Sequence, residues 1–349
     1  MKLAIVAPVW VPVPPPGYGG IELVASLETE TLVARGHDVT LFANGESRTS
    51  ARLVATFPTA PDPSLMGDVW YESLHAMTVQ MCSERFDLIH DHSGVVGAAL
   101  GASRPVVPTV HTLHGRWTPI AERFYPLIAG RVHLVAISEH QRRAFPSIPY
   151  AGVVHNGIDV GRYTYVEQKD GYLVYIGRAA PDKDPARAID LARAAGLPIR
   201  MVVRRARMTN KPDEPDEIEY WNREIVPRLG PDVEIFDRVS PEQKVELLAH
   251  ATAMVFPINW PEPFGLVMVE AMACGTPVVT CPVGAAPEIV VHGVTGFVRP
   301  DDAGMVDGIR RIVAGEIDPA ACRARVEEHF SAPVMTEGYE RIFERVLAP

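Results

Sequence analysis

The strongest constraint on the fold is a rhythm. Short runs of Val, Ile and Leu alternate with helix-length segments almost throughout the chain. "LAIVAPV", "HDVTLFA", "DLIHDHS", "PVVPTVH" and "HLVAIS" read as strands in the first half. "GYLVYIG", "IRMVV", "VEIFD", "AMVFPI" and "PVVTCPV" do so in the second. They lack clean polar alternation, so they are expected to be buried on both faces, as in a parallel sheet covered by helices. Helical periodicity fills the gaps, over 21–35, 69–85, 185–195, 241–250 and 264–274. Alternating β and α units specify an α/β protein.

The 349 residues suit two sheets of five to seven strands better than one of ten or more. The break is expected after "VVHNGID", in the polar stretch "VGRYTYVEQKDG". That gives a first domain of residues 1–162 and a second of 163–330, both Rossmann-like and doubly wound. Ligands of such sheets bind at the carboxyl ends of the strands. The final segment, "SAPVMTEGYERIFERVL", reads as a helix with Met335, Tyr339, Ile342, Phe343 and Val346 on one face, which needs a surface to cover. The acidic "TNKPDEPDEIEYW" reads as a surface loop entering a helix.

The net charge of −10, with no excess of Lys and Arg in the first half, argues against broad nucleic-acid binding. The start, "MKLAIVAPVW", reads as a buried strand and not a signal peptide, because its short apolar run gives way to Pro-rich chain. No stretch reaches the roughly 18 apolar residues of a transmembrane segment. Peripheral contact with a membrane through a local patch stays open. The four cysteines form no C-x-x-C pair, which points to free thiols and a reducing, cytoplasmic location.

The densest chemistry lies in "NWPEPFGLVMVEAMACGTPVV", where Glu270 interrupts an apolar run. A buried carboxylate needs a partner. Pro263 suits a first helical turn, so a helix is expected to begin near Pro263 or Phe264. The amides of Phe264, Gly265 and Leu266 would then be free donors at a positive helix end, and Gly265 would admit a ligand close to the backbone. If the segment is helical throughout, Glu262 and Glu270 stand about 12 Å apart in rise. That span suits a nucleotide-sugar, whose vicinal diols a carboxylate can grip. Plainer readings stay open: a structural ion pair for Glu270, and a dipole interaction for Glu262.

Other candidates follow strands. "YIGRAAPDK" places Gly177, Arg178 and Lys183 beyond a strand end, where the cations either face a diphosphate leaving group or are simply solvated. "GYGG" brings Gly19 and Gly20 to the start of a helix, as a phosphate cradle or a plain turn. "DKD" spells D-x-D, but its central Lys183 would repel a cation. His90, His92, His111 and His114 form two pairs at strand ends. Two separate pairs fall short of the three or four convergent ligands of a zinc site, so no metal or other cofactor is expected and a polar role fits better.

These blocks together carry a family likeness. "EPFGLVMVEAMACGTPVV" resembles the E-x7-E signature of retaining glycosyltransferases of family 4, which have the two-domain GT-B fold. "PPPGYGGIE", "LIHDHS", "TVHTLHG", "VAISEHQRR", "VVHNGID", "YIGRAAPDK" and "GAAPEIVVHGVTGF" resemble the family's other blocks, in the family's order and over essentially the whole chain. The resemblance implies two Rossmann-like domains facing an interdomain cleft, the first binding the acceptor and completed by a C-terminal helix over 331–349. It implies transfer of a hexosyl unit from a nucleotide-diphosphate sugar, UDP-glucose being the commonest donor, to a hydroxyl of an unidentified small-molecule, glycan or lipid acceptor. Retention and metal independence belong to the same expectation. Glu262 would bind the donor sugar and Glu270 the ribose. Amides of Phe264, Gly265 and Leu266 would face sugar and diphosphate. Arg178 and Lys183 would stabilise the departing diphosphate, His111 would sit at the reacting carbon, and Gly19 and Gly20 would let the first loop approach the phosphates. A nucleotide-sugar epimerase or another non-transferase enzyme on the same fold is the alternative. Two departures stand out: Asp184 follows the lysine where the family usually has Gly, and "VVRRARM" replaces a G-x-G, leaving Arg204 or Arg205 as candidate phosphate or base contacts.

Overall fold

The structure is a computed structural model that describes every residue except Tyr18, Pro105, residues 205–216, Arg238 and Pro349. The chain divides into two compact units, Met1–Gly157 with Ala332–Pro349, and Ile158–Ser331. The division falls at 157/158, ahead of the expected 162/163. Ile158 supplies the reason. It is wholly buried and its amide donates to the Phe330 carbonyl at 2.9 Å, so the chain joins the second unit before the polar stretch begins.

The first unit runs β1 (Lys2–Val6), α1 (Gly20–Ala34), β2 (Asp38–Ala43), β3 (Arg52–Ala55), α2 (Val69–Met81), β4 (Leu88–Asp91), α3 (Val95–Ser103), β5 (Thr109–Leu113), α4 (Pro119–Ile128), β6 (His133–Ala136), α5 (Glu139–Ala144) and β7 (Gly152–Val153). Its strands form one parallel sheet in the order β3-β2-β1-β4-β5-β6-β7. Ile5 of β1 lies between Leu41 and His90. Leu3, Ala4 and Ile5 have no exposed surface, as a strand covered on both faces requires. β5 starts later than "PVVPTVH" suggests, because Pro108 has no N–H to pair. The strand order reverses between β1 and β4, so the loops after β1, β4 and β5 gather at a switch point.

The second unit runs β8 (Leu173–Arg178), α6 (Pro185–Ala195), β9 (Ile199–Arg204), α7 (Glu217–Tyr220), β10 (Val233–Phe236), α8 (Pro241–His250), β11 (Ala253–Phe256), α9 (Leu266–Ala273), β12 (Val278–Thr280), α10 (Ala286–Ile289), β13 (Gly296–Val298), α11 (Asp302–Val313) and α12 (Pro319–His329). Its parallel sheet has the order β10-β9-β8-β11-β12-β13, reversing between β8 and β11. The two sheets are the doubly wound pair read from the sequence. β3, β7 and β13, which that reading missed, are edge strands of two to four residues.

The last helix, α13 (Ala332–Leu347), belongs to the first unit. Met335, Tyr339, Ile342 and Phe343 are buried, and Glu340 pairs with Arg35 at the end of α1 and with His37 Nε2 at 2.9 Å. Ile342 packs so closely on Gly152 that a Cβ there would lie 3.0 Å from its Cδ1.

Candidate active site

In the second unit the site is built at the β8/β11 switch point. Arg178 ends β8, inside the strand and not beyond it as expected, the loop that follows carries Lys183, and the loop after β11 carries Trp260 and Glu262. Lys183 Nζ pairs with Glu262 Oε2 and lies 4.6 Å from the Trp260 ring centroid. An ammonium over an aromatic face is attracted by the ring's quadrupole. Gly284 shapes the other side of the Glu262 loop. Its φ is +62°, and a Cβ there would lie 2.4 Å from both the amide nitrogen and the carbonyl oxygen of Glu262. Ala285 N–H then donates to the Glu262 carbonyl at 2.9 Å. Arg178 is gripped by Asp182 at 2.9 Å and by Glu217 at 3.0 Å. Arg204 ends β9, while Arg205 lies outside the described residues.

Asp184 explains its own departure. It is the one described non-glycine residue with positive φ, at +48°, the region that favours glycine. Asp tolerates that region because its short side chain bonds locally. Here Oδ1 accepts from Arg187 N at 3.3 Å, capping α6, and from Tyr220 Oη at 3.2 Å. Asp182 and Asp184 thus serve different partners, Arg178 and the helix cap.

The helix carrying Glu270 begins later than expected. Gly265 has φ +98° and caps α9, which starts at Leu266. Positive φ cannot belong to a right-handed helix, so Phe264 and Gly265 are not in its first turn. Of the expected amides, only that of Leu266 stands at the helix start, and the 12 Å rise between the two glutamates does not apply. Glu270 is buried and accepts from Tyr163 Oη at 2.9 Å and Lys244 Nζ at 2.6 Å. Both bonds go to Oε1, and no described residue is bonded to Oε2. Neither Tyr163 nor Lys244 was legible as a partner. Both lie far from Glu270 in sequence, and only the folded sheet joins them.

In the first unit the loop after β1 leads to Gly19, which caps α1, and to Gly20, its first residue. A side chain at Gly19 would clash, its Cβ 2.7 Å from Pro15 Cβ and 2.9 Å from Glu22 Oε2. Glu22 is itself buried, and burial pushes its carboxyl up to about 7. His111, on β5, is buried with Nδ1 2.8 Å from Asp91 Oδ2. Ser93 N and Oγ hold Asp91 Oδ1 at 2.9 and 2.5 Å. Burial alone would raise the Asp91 carboxyl, but the bond to His111 and those to Ser93 outweigh it and keep it ionised below its ordinary value. Asp91 orients His111, a role the residue pattern did not single out.

Glu28, His90 and His92 are the described group with the spacing of metal ligands. Glu28 was missed because it sits in the middle of α1 among residues of helical periodicity. Its Oε1 is 2.6 Å from His90 Nδ1 and its Oε2 2.8 Å from His92 Nε2, all buried. Each of these facing atoms is thus already within hydrogen-bonding distance of a partner.

A family model described as "Glycosyl transferases group 1" matches residues 164–329, and one described as "Glycosyltransferase Family 4" matches residues 18–162. The chain is 29% identical to the D-inositol 3-phosphate glycosyltransferase of Mycolicibacterium smegmatis, over 89% of this chain and 82% of that protein. A sucrose-phosphate synthase structure from Thermosynechococcus elongatus superposes with a TM-score of 0.79 at 19% identity, covering 99% of each chain. HepE of Anabaena, solved in complex with UDP-glucose, gives 0.74 at 21% identity, covering 99% of this chain and 100% of its own. Two consecutive family matches thus follow the two observed units almost end to end, and the chain belongs to the group 1, family 4 type of glycosyltransferases with the GT-B fold.

Proposed function

We propose that the protein transfers a hexosyl unit from a nucleotide-diphosphate sugar, with UDP-glucose the favoured donor, to an acceptor hydroxyl with retention at the anomeric carbon. The observation that carries this is the half-engaged Glu270. Its Oε1 is fixed by Tyr163 and Lys244, while Oε2 is left to accept a ribose hydroxyl. At the neighbouring switch point Lys183 and Glu262 form a charge pair that a sugar diphosphate can open, the carboxylate turning to sugar hydroxyls and the ammonium to the diphosphate.

In the proposed reaction the bond from the anomeric carbon to the phosphate oxygen breaks and a bond to the acceptor oxygen forms on the same face. The acceptor's proton goes to the departing phosphate oxygen. Lys183 and Arg178 stabilise the negative charge that develops there, and no metal is required. Cytoplasmic location and the absence of nucleic-acid partners belong to the same reading. Among the described residues no helix is long and apolar enough to cross a membrane. A thermal-shift panel of UDP, GDP, ADP and TDP, each with its sugar, tests the donor. An inverted product by NMR overturns retention, and activity lost in EDTA and restored by magnesium overturns metal independence.

A further inference from the structure

One polar network in the first unit is not used by this reaction. It begins at Glu28, wholly buried on α1, and passes through His92 to His114, just beyond β5. Glu28 Oε2 is 2.8 Å from His92 Nε2, and His92 Nδ1 is 2.8 Å from His114 Nε2. A second arm runs from Glu28 Oε1 to His90 Nδ1 at 2.6 Å, then from His90 Nε2 to Thr112 Oγ1 at 2.8 Å.

The protons on the His92 arm can be assigned. Burial alone would raise the Glu28 carboxyl, but the adjacent His90 and His92 outweigh it and hold it at about 2, so Glu28 only accepts. Glu28 Oε2 therefore accepts the Nε2 proton of His92, and with one proton on that ring its Nδ1 is a lone pair. His114 Nε2 must donate to that lone pair. Burial and the neighbouring histidines keep His114 neutral, so its Nδ1 is bare. No described residue is bonded to this nitrogen, and it is not among the polar atoms sealed from solvent. It lies at the carboxyl end of the sheet, where ligands of doubly wound folds bind.

We propose that His114 Nδ1 accepts the hydrogen bond of the incoming acceptor hydroxyl, and that His92 and Glu28 are positioning residues that fix its tautomer. This rests on the glycosyl-transfer reading above. The hydroxyl is aligned by the ring, and its proton still leaves with the phosphate, so no charge builds on His114. His114→Gln keeps an acceptor oxygen and His114→Ala keeps none.

The test uses the full chain with water and with glycerol as surrogate acceptors and the donor found by thermal shift. His114→Ala is expected to lower transfer about three- to ten-fold, the worth of one ordinary hydrogen bond, with donor affinity unchanged. His114→Gln should recover part of that loss. In long-range proton–nitrogen spectra His114 is expected to carry its proton on Nε2 in the wild type and to lose that preference in Glu28→Gln. Wild-type turnover matched by His114→Ala, or a proton found on Nδ1, overturns the proposal alone. A wild type inert with every donor overturns the glycosyl-transfer reading and this proposal with it.

Discussion

Lys244 Nζ lies 2.6 Å from Glu270 Oε1, inside a helix whose other faces are apolar. This contact explains how a carboxylate tolerates burial without any ligand, and it makes the structural ion pair part of the answer. The ion pair and the ribose reading are compatible because they use different oxygens. Glu270→Ala removes both, and should weaken UDP binding at least ten-fold in calorimetry, about 1.4 kcal/mol. Lys244→Met leaves Oε2 in place and should weaken it less, while lowering stability by roughly 1–3 kcal/mol because Glu270 loses its charged partner. Equal losses of UDP affinity in the two variants would sink the division of labour between the oxygens.

Lys183 is expected to act on the rate more than on binding. Its ammonium sits against Trp260 and Glu262, partly removed from water, where its field on a departing phosphate is strongest. Lys183→Met should lower kcat by about 10²–10³, the usual scale for removing one electrostatic stabiliser, with a smaller change in KM for the donor. A variant that raises KM and leaves kcat intact would show that Lys183 only binds the ground state.

The sheet architecture was legible because parallel strands covered on both faces leave uninterrupted apolar runs, such as "LVYI" in β8. The edges were not, since β7 is two residues long and has no pattern to read. Within the site, the sequence marked Lys183 and Glu262 through their place after strands. It misplaced the start of α9, because Pro263 is a common first-turn residue and nothing local reveals that Gly265 turns to positive φ. Partners contributed by distant segments, such as Tyr163 for Glu270 or Glu28 for His92, exist only once the sheets are assembled.

Glu22 gives a pH-dependent prediction. Burial raises its folded carboxyl to about 7, above the ordinary 4.5, so the folded chain holds this proton where the unfolded chain has released it. Stability contributed by Glu22 is therefore present below about pH 4.5 and is lost as pH rises through 7. Glu22→Gln cannot ionise. Relative to wild type it should gain stability with rising pH and reach a plateau above pH 7, on the order of 2–4 kcal/mol. Urea unfolding at pH 5 and pH 8.5 reads this directly. A difference between variants that does not grow with pH would mean that Glu22 is solvated.

Asp184 sets strain against capping, and the two substitutions that separate them should differ. Asp184→Ala keeps a side chain at φ +48°, and loses the Arg187 cap and the Tyr220 bond. The lost cap is worth about 0.5–2 kcal/mol and the bond about 1, so a destabilisation of roughly 1.5–3 kcal/mol is expected. Asp184→Gly loses the same bonds but relieves the left-handed strain, worth about 1 kcal/mol, and Gly is itself an adequate cap. Its net effect should stay within about 1 kcal/mol. Urea midpoints of the two variants decide the matter. If Asp184→Gly proves as damaging as Asp184→Ala, backbone strain is not what glycine relieves at this position, and the bonds from Arg187 and Tyr220 account for the whole of Asp184's role.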